Sequence, residues 1–141
     1  MVIMKLVIRA ELENLTNLQP EGGCDEPNFT YYFKLHCENC GEVSQKRTCV
    51  SLNERVPHPN GKGTINLVQK CKFCERKGTV LMIPGHGRPL TLHASQRGMH
   101  SPLMLFDCRG LNPVEFAFGN AWWKAQSVSS CVSLFVFLLK L

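Results

Sequence analysis

Four of the eight cysteines in this sequence stand in two Cys-x-x-Cys units, Cys37 with Cys40 and Cys71 with Cys74. Two residues between two cysteines allow a tight turn to aim both sulfurs at one point. Two such turns, brought together, supply four thiolates at the corners of a tetrahedron, which suits zinc with Zn–S distances of about 2.3 Å. The spacing therefore predicts one zinc ion held by Cys37, Cys40, Cys71 and Cys74.

The distance between the two units and the number of thiolates bear on the kind of site. Residues 41–70 separate the units, a longer gap than the usual 15–20 or so residues. Loop-closure entropy rises by only about 0.6 kcal/mol per doubling of loop length, so the gap does not argue against zinc. Four thiolates leave no open position for a water molecule. The predicted ion is therefore structural and does not act as a Lewis acid.

The residues around the two units are consistent with a metal site. Gly41 directly follows the first unit and can take a positive φ, which turns backbone N–H groups toward the sulfurs. Glu75 stands at the corresponding place in the second unit, so we expect the two halves to differ. Zinc with four thiolates carries a net charge of −2, which basic side chains offset. The flanking basic residues, for which an ordinary solvated surface is the alternative reading, are Lys46, Arg47, Lys70, Lys72, Arg76 and Lys77.

Other reactive side chains form no catalytic pattern in the sequence. His86, His93 and His100 recur every seven residues, but in a predicted loop this spacing has no geometric meaning and we interpret it as chance. Charged residues on the late predicted strands lack the arrangement of nucleophile, base and orienting group. These residues are Asp107, Arg109 and Glu115. We predict no catalytic residues and no cofactor besides the metal.

The remaining cysteines are predicted to be structural. Cys24 falls in a predicted loop and is expected to be exposed. Cys49 and Cys108 fall in predicted strands, where a free cysteine behaves as a small buried residue. Cys131 lies in the apolar C-terminal stretch.

Length and composition indicate a globular chain, and the N-terminal stretch favours a reducing compartment. The chain has 141 residues, 44% apolar content and a net charge of +5, which fits one domain or two small ones. This charge permits acidic partners without singling out nucleic acid. Lys5 and Arg9 interrupt the N-terminal stretch, so we predict no signal peptide and a cytoplasmic, or also nuclear, location. In that setting paired Cys-x-x-Cys units indicate metal sites rather than disulfides.

Alternating apolar residues predict a mostly β fold with little helix, either a β-sandwich or a barrel-like sheet, with a zinc-ribbon-like pair of Cys-x-x-Cys turns. Residues 128–141 are apolar but shorter than the roughly 20 residues of a membrane-spanning helix. They are either a buried strand or a weak membrane-associated or aggregation-prone segment. Gly, Pro and Asn predict loops at residues 14–23, 53–63 and 84–102, the last of them long and mobile. The predicted strands cover residues 2–12, 29–36, 48–52, 64–70, 79–83, 103–109 and 114–118.

The chain resembles the eukaryotic CXXC-motif-containing zinc-binding protein family. The matching stretches are A-E-L-E-N-L-T-N-L at 10–18, F-K-L-H-C-E-N-C-G-E at 33–42, L-V-Q-K-C-K-F-C-E-R at 67–76 and F-D-C-R-G-L-N-P-V-E-F at 106–116. The resemblance implies a β-rich fold with zinc on the four positions that match the family motif. It also implies an intracellular monomer with no known enzymatic activity.

The resemblance weakens after about Trp123. The family continues there for several dozen residues with an acidic, aromatic segment and further strands, whereas this sequence continues as an apolar run. We therefore expect a β-rich zinc-binding domain at residues 1–118, incomplete in its second half, and a divergent apolar tail at residues 119–141. In particular, residues 103–118 are expected to be short of strand partners.

Four functions remain open at this point. The first is a non-enzymatic module that binds an unidentified protein partner and uses zinc only for its structure. The second is a zinc-ribbon nucleic-acid binder, which acidic residues in the same turns (Glu38, Glu42 and Glu75) and a pI of about 8.8 disfavour. A thiol oxidoreductase would need a low-pKa cysteine at a helix N-terminus, which the strand pattern does not predict. Metal delivery between proteins is the fourth.

Overall fold

The computed structural model describes residues 2–119 and 121–128, together with the backbone of residues 136–140. Antiparallel strands make up 49% of the structure, and the one helix in the described residues has five residues. The elements are β1 (Val2–Ile8), β2 (Leu15–Pro20), β3 (Tyr31–Cys37), β4 (Thr48–Val50), β5 (Val56–Pro57), β6 (Thr64–Ile65), β7 (Leu67–Lys70), β8 (Lys77–Ile83), α1 (Leu92–Gln96), β9 (Ser101–Arg109), β10 (Leu111–Ala117), β11 (Trp122–Ser127) and β12 (Val136–Lys140).

The strands form three main sheets and one small ladder. The first sheet has the order β1-β9-β8-β7, the second β10-β3-β4 and the third β12-β11-β2, while β5 pairs with β6. Neighbouring strands are antiparallel throughout these pairings. No sheet closes on itself in the described part of the chain. The predicted mostly β fold with little helix is therefore confirmed.

Strand β3 shows why the core forms where it does. Its alternate residues Tyr31, Phe33, Leu35 and Cys37 are all at most 2% exposed, as expected for a strand with one buried face. Phe106 of β9 packs edge-on against Tyr31 and Phe33, with ring centroids 5.8 and 6.2 Å apart. Side chains from all three main sheets contribute to this core. One strand thus links the aromatic core at Tyr31 to the first predicted metal ligand at Cys37.

The predicted loop at residues 14–23 is wrong, because Leu15–Pro20 forms strand β2. Asn17 has a φ of 57°, and the register with β11 shifts in this region, so the strand is irregular. Pro20 has no N–H to donate, which a sheet tolerates on an edge strand, and β2 is the edge of its sheet. Asn and Pro indicated a loop in the sequence, whereas here they shape an edge strand.

Residues 84–102 are less loop-like than predicted. Leu90 is fully buried and exchanges backbone hydrogen bonds of 2.8 and 2.9 Å with Leu18. Helix α1 follows, and the Thr91 hydroxyl caps it by accepting a hydrogen bond from the Ala94 N–H at 3.1 Å. The Ser95 hydroxyl donates to the Ala10 carbonyl at 2.7 Å. The segment is therefore tied to the strands at several points.

Strands β9 and β10 have the partners that we expected them to lack, so that expectation is wrong. β9 pairs with β1 on one side and β8 on the other, and β10 pairs with β3. Gly110, with a φ of 79°, makes the tight turn between them, and β10 therefore begins at Leu111, earlier than the predicted strand at residues 114–118. The described first and second sheets are thus joined through residues 101–117.

The C-terminal apolar stretch contains a strand, as one of the two alternatives predicted. β12 (Val136–Lys140) pairs with β11, which in turn pairs with β2. Whether β12 is buried falls outside the described side chains, and residues 129–135 lie outside the described structure. Within the described residues, no helix has the length and apolar character needed to cross a bilayer.

Candidate metal centre

The two Cys-x-x-Cys units fold into turns with the same backbone hydrogen bonds. In the first cysteine turn (residues 37–42), the Cys37 N–H donates to the Glu42 carbonyl and the Gly41 N–H donates to the Cys37 carbonyl, both at 2.9 Å. In the second cysteine turn (residues 71–76), the Cys71 N–H donates to the Arg76 carbonyl at 2.8 Å and the Glu75 N–H to the Cys71 carbonyl at 2.9 Å. Each turn therefore presents its two sulfurs in the same way.

The residue that follows the second cysteine of each unit has a left-handed backbone conformation. Gly41 has a φ of 79° and Glu75 a φ of 66°. A side chain in this region costs about 1–2 kcal/mol, which glycine avoids. The prediction that the two halves differ is thus wrong for the backbone. Glu75 adopts the conformation that glycine adopts in the first turn.

The four sulfurs converge across the two turns. The Cys37 Sγ lies 3.6 Å from the Cys74 Sγ, and the Cys40 Sγ lies 3.7 Å from the Cys71 Sγ. All four ligand atoms lie within 4.8 Å of one another. A tetrahedral zinc site with Zn–S bonds of about 2.3 Å has sulfur–sulfur edges of about 3.8 Å. The spacing of the sulfurs is therefore compatible with one zinc ion.

Donors in the turns point at the sulfurs, as the groups around a metal–thiolate site do. The backbone N–H groups of Cys74 and Phe73 lower the pKa of the Cys71 thiol. The Asn39 side chain, followed by the backbone N–H of Arg76, lowers the pKa of Cys74 to about 6. Asn39 belongs to the first cysteine turn, so it stabilises a thiolate of the second.

The pKa of Cys40 shifts in the opposite direction to those of Cys71 and Cys74. The backbone N–H of Glu42 lowers the pKa of Cys40, but desolvation and the neighbouring thiols outweigh it and raise that pKa to about 12. Four anionic sulfurs this close repel one another, so at least one keeps its proton unless a cation replaces it. A divalent metal supplies that positive charge and displaces the protons.

The site lies at the protein surface, with one side turned to solvent. Cys37 and Cys71 are buried, Cys74 is half-buried and Cys40 is exposed. The Arg76 guanidinium donates to the Asn39 side-chain oxygen at 3.2 Å, which connects the two cysteine turns. The other basic residues predicted to flank the turns are exposed: Lys46, Arg47, Lys70, Lys72 and Lys77.

The structure does not bring the other candidate residues together. His86, His93 and His100 are exposed, and none of them belongs to a cluster of potential ligands in the described residues. Among the late charged residues, Arg109 lies 3.6 Å from Asp107. Glu115 lies 3.8 Å from Lys34. These residues form ion pairs on the strands.

The cysteines outside the metal cluster differ in exposure from the sequence prediction. Cys108 is buried, as predicted, whereas Cys49 is exposed and Cys24 is half-buried. Cys49 belongs to β4, the edge of its sheet, and its side chain points away from the core face that Val50 occupies. Cys131 lies outside the described residues.

Sequence reasoning missed a cavity beside the cysteine turns. It has a volume of about 340 Å³, and its lining includes residues of both turns and of strands β3, β7 and β10. Phe73, between the two cysteines of the second unit, lines it and is 59% exposed. An aromatic residue inside a Cys-x-x-Cys unit, where no core packing requires it, was the signal available in the sequence.

Known proteins resemble this chain over most of its length. Residues 5–135 match the model of a family described as CXXC motif containing zinc binding protein, eukaryotic. The Xenopus laevis protein of that name is 37% identical over 116 residues, which cover 82% of this chain and 69% of the relative. The Homo sapiens protein of the same name is 36% identical over 125 residues, 89% of this chain and 74% of the relative.

Two solved structures share the fold. The crystal structure of C1orf123 superimposes with a TM-score of 0.70 at 30% identity, covering 98% of this chain and 79% of that one. A hypothetical protein from Plasmodium falciparum has a TM-score of 0.67 over 94% of this chain and 76% of that one. Its 14% identity supports a common fold and nothing further.

Proposed function

Since the chain belongs to the eukaryotic CXXC motif containing zinc binding protein family, we propose that its four clustered cysteines hold one structural zinc ion. The observation that carries this proposal is the pair of sulfur–sulfur distances across the two cysteine turns, 3.6 and 3.7 Å. These distances match the edges of a zinc–thiolate tetrahedron. The ligands would be Cys37, Cys40, Cys71 and Cys74.

The ion would join two sheets at the end of the molecule where the turn at Gly110 also connects them and accepts a hydrogen bond from the Glu38 N–H at 3.1 Å. The first cysteine turn extends β3 of the second sheet, and the second connects β7 to β8 of the first sheet. Zinc in small domains contributes about 10–16 kcal/mol to folding, against a typical net stability of about 5–15 kcal/mol. A bound ion would therefore decide whether this end of the fold forms.

We further propose that the protein is a non-enzymatic, intracellular interaction module, monomeric and located in the cytoplasm or also the nucleus. Four thiolates fill the coordination sphere of zinc and leave no position for a substrate or an activated water. A closed site of this kind supports a binding surface built around the metal. Its zinc-binding domain would comprise residues 1–118, and the divergent residues 119–141 would complete the third sheet with β11 and β12.

Native mass spectrometry of the full chain tests the metal assignment. We expect one zinc ion per chain, and Cys37→Ser or Cys71→Ser to lose it and to unfold the region of the two cysteine turns. Cys49→Ser is the matched control, because Cys49 is exposed and lies outside the cluster. It should keep one zinc ion and the wild-type unfolding curve.

Two results would contradict the assignment. One is a wild-type chain whose circular dichroism and melting temperature do not change when a strong chelator removes all metal. The other is a Cys37→Ser variant that still binds one zinc ion with the wild-type affinity.

A further inference from the structure

The cavity beside the cysteine turns has an apolar base and an aromatic rim. Leu35 and Leu111, both at most 3% exposed, lie at its base. Phe73 lines it with a side chain that is 59% exposed. A volume of about 340 Å³ is within the range of small ligand sites and accommodates one large side chain. The cavity therefore offers an apolar socket at the protein surface.

Both cysteine turns form the walls of this cavity. Cys37 and Glu42 come from the first turn, and Cys71 and Phe73 from the second. The relative position of these walls depends on whatever holds the two turns together. If zinc joins the turns, the cavity has its present shape only in the metal-bound protein.

Charged side chains around the cavity are mainly basic. Lys46, Lys70 and Lys72 line it and are exposed, and Glu42 is the acidic residue among the lining residues. Lysines on a rim attract acidic partners and raise association rates more than they raise affinity. The charge of the rim favours an acidic partner, with an apolar group for the socket.

A sheet edge runs along the same cavity. Strand β7 is the last strand of its sheet and pairs with β8 alone in the described residues. Gln69 and Lys70 of β7 also line the cavity. An unpaired edge presents a row of backbone N–H and C=O groups that an extended peptide can pair with.

We propose that this cavity and the β7 edge bind an extended acidic peptide segment of a partner protein, with one apolar side chain of that segment inserted beside Phe73. The proposal rests on the proposed function, because zinc would hold the two walls in place. A single-stranded nucleic acid fits less well. It needs several aromatic platforms along a basic groove, whereas this site has one exposed aromatic, an enclosed apolar base and an acidic residue.

Selection from a random heptapeptide library displayed on phage, with the zinc-loaded full chain as bait, tests the proposal. We expect enriched peptides to carry acidic residues around one apolar residue. Phe73→Ser should weaken binding of a synthetic enriched peptide by about 30-fold, as loss of a central anchor does. Lys72→Glu should weaken it by about threefold or more.

Two control variants change the same residue types elsewhere. Met99→Ser removes an apolar side chain that is 51% exposed, and Lys62→Glu reverses an exposed charge outside the cavity lining. Both should bind the enriched peptide as the wild type does. Chelation of zinc should abolish peptide binding, and re-addition should restore it.

Several outcomes would overturn the proposal. These are no enrichment above the Phe73→Ser chain, enriched peptides without acidic residues, or binding of a 12-nucleotide oligouridylate that Phe73→Ser removes. Zinc content, measured on the same samples, separates the two levels of inference. If the chain holds one zinc ion but Phe73→Ser does not weaken peptide binding, only the peptide site is refuted. If the wild type holds no zinc, the proposed function itself fails.

Discussion

Single residues decide how the two cysteine turns close. Gly41 and Glu75 occupy equivalent positions with φ values of 79° and 66°, yet only the first is the residue type that favours this conformation. A Cβ atom at Gly41 would meet nothing within 4 Å. The cost of a side chain there is therefore that of the backbone conformation alone.

This difference predicts opposite effects for two substitutions. Gly41→Ala should lower the free energy of unfolding of the zinc-loaded protein by about 1 kcal/mol, and Glu75→Gly should raise it by up to about 1 kcal/mol. Denaturant unfolding with zinc present measures both. Gly61→Ala is the control, since Gly61 has a φ of 77° and similarly open surroundings. It should lower the free energy of unfolding by about the same amount as Gly41→Ala. Gly41→Ala should also weaken zinc binding, whereas Gly61→Ala should leave zinc affinity unchanged. Equal zinc affinities for the two alanine variants would contradict a role of Gly41 in the site.

The clustering of the four cysteines was predictable because the Cys-x-x-Cys motif is visible in the sequence itself. The spacing of Cys37, Cys40, Cys71 and Cys74 indicates the cluster without knowledge of the fold, and the structure brings these four sulfurs together. The left-handed Glu75 was not predictable, because the sequence shows no reason for glutamate to take a positive φ. Hydrogen bonds within residues 71–76, from the Cys71 N–H to the Arg76 carbonyl and from the Glu75 N–H to the Cys71 carbonyl, close the turn with this backbone, and residue type alone does not reveal them.

Among the secondary-structure elements, the region around Asn66 shows how a side chain can replace strand pairing. Residues 64–70 were predicted as one strand, but they form β6 and β7, separated by Asn66. The Asn66 side chain is buried and accepts a hydrogen bond from the Met82 N–H at 2.7 Å. Its amide donates to the Ser51 and Glu54 carbonyls, each at 3.2 Å. It thus connects β8 to the loop after β4.

Asn66→Ala should lower the free energy of unfolding by about 2–4 kcal/mol, because it leaves buried backbone groups without partners. Asn60→Ala is the control. The Asn60 side chain accepts only a local hydrogen bond, from the exposed Lys62 N–H at 2.8 Å, and its loss should cost less than about 1 kcal/mol. Urea unfolding of both variants measures the difference. A similar small loss for both would show that Asn66 is not a structural connector.

Element predictions succeeded where alternation alone decides, and failed where long-range contacts override local signals. β3 follows its alternating pattern from Tyr31 to Cys37. β2 does not follow local signals, because Asn17 and Pro20 indicate a loop and only pairing with β11 makes the segment a strand. Helix α1 was missed because its five residues are too few to show helical periodicity.

At the scale of the whole molecule, the core holds groups that are neutral in the folded state. Burial raises the pKa of Cys108 to about 12, and burial also raises the pKa of Tyr31 above its ordinary range. Both side chains lie in the core that the three main sheets share. The folded state therefore keeps protons that the unfolded chain releases in alkaline solution.

Alkaline pH should destabilise the protein through these groups. Below about pH 9 both states keep the Cys108 proton, so its full contribution is present. Between about pH 9 and 12 the unfolded state loses the proton first, and stability falls by about 1.4 kcal/mol per pH unit for this group. The difference in unfolding free energy between wild type and Cys108→Ala should narrow at that rate as pH rises. Cys49→Ala, which removes an exposed cysteine, is the control variant in the same series of pH values. A constant difference for Cys108→Ala from pH 8 to 11 would contradict the burial argument.

The order in which the strands pair has a consequence for synthesis on the ribosome. Val2 of β1 lies opposite Cys108 of β9, and Gln19 of β2 lies opposite Lys124 of β11. β1 and β2 can therefore pair only after β9 and β11 have been synthesised. All four clustered cysteines are made before either partner strand. The two cysteine turns can thus meet around the proposed zinc ion while β1 and β2 are still unpaired, so metal present during synthesis would reach its ligands before these two strands join their sheets.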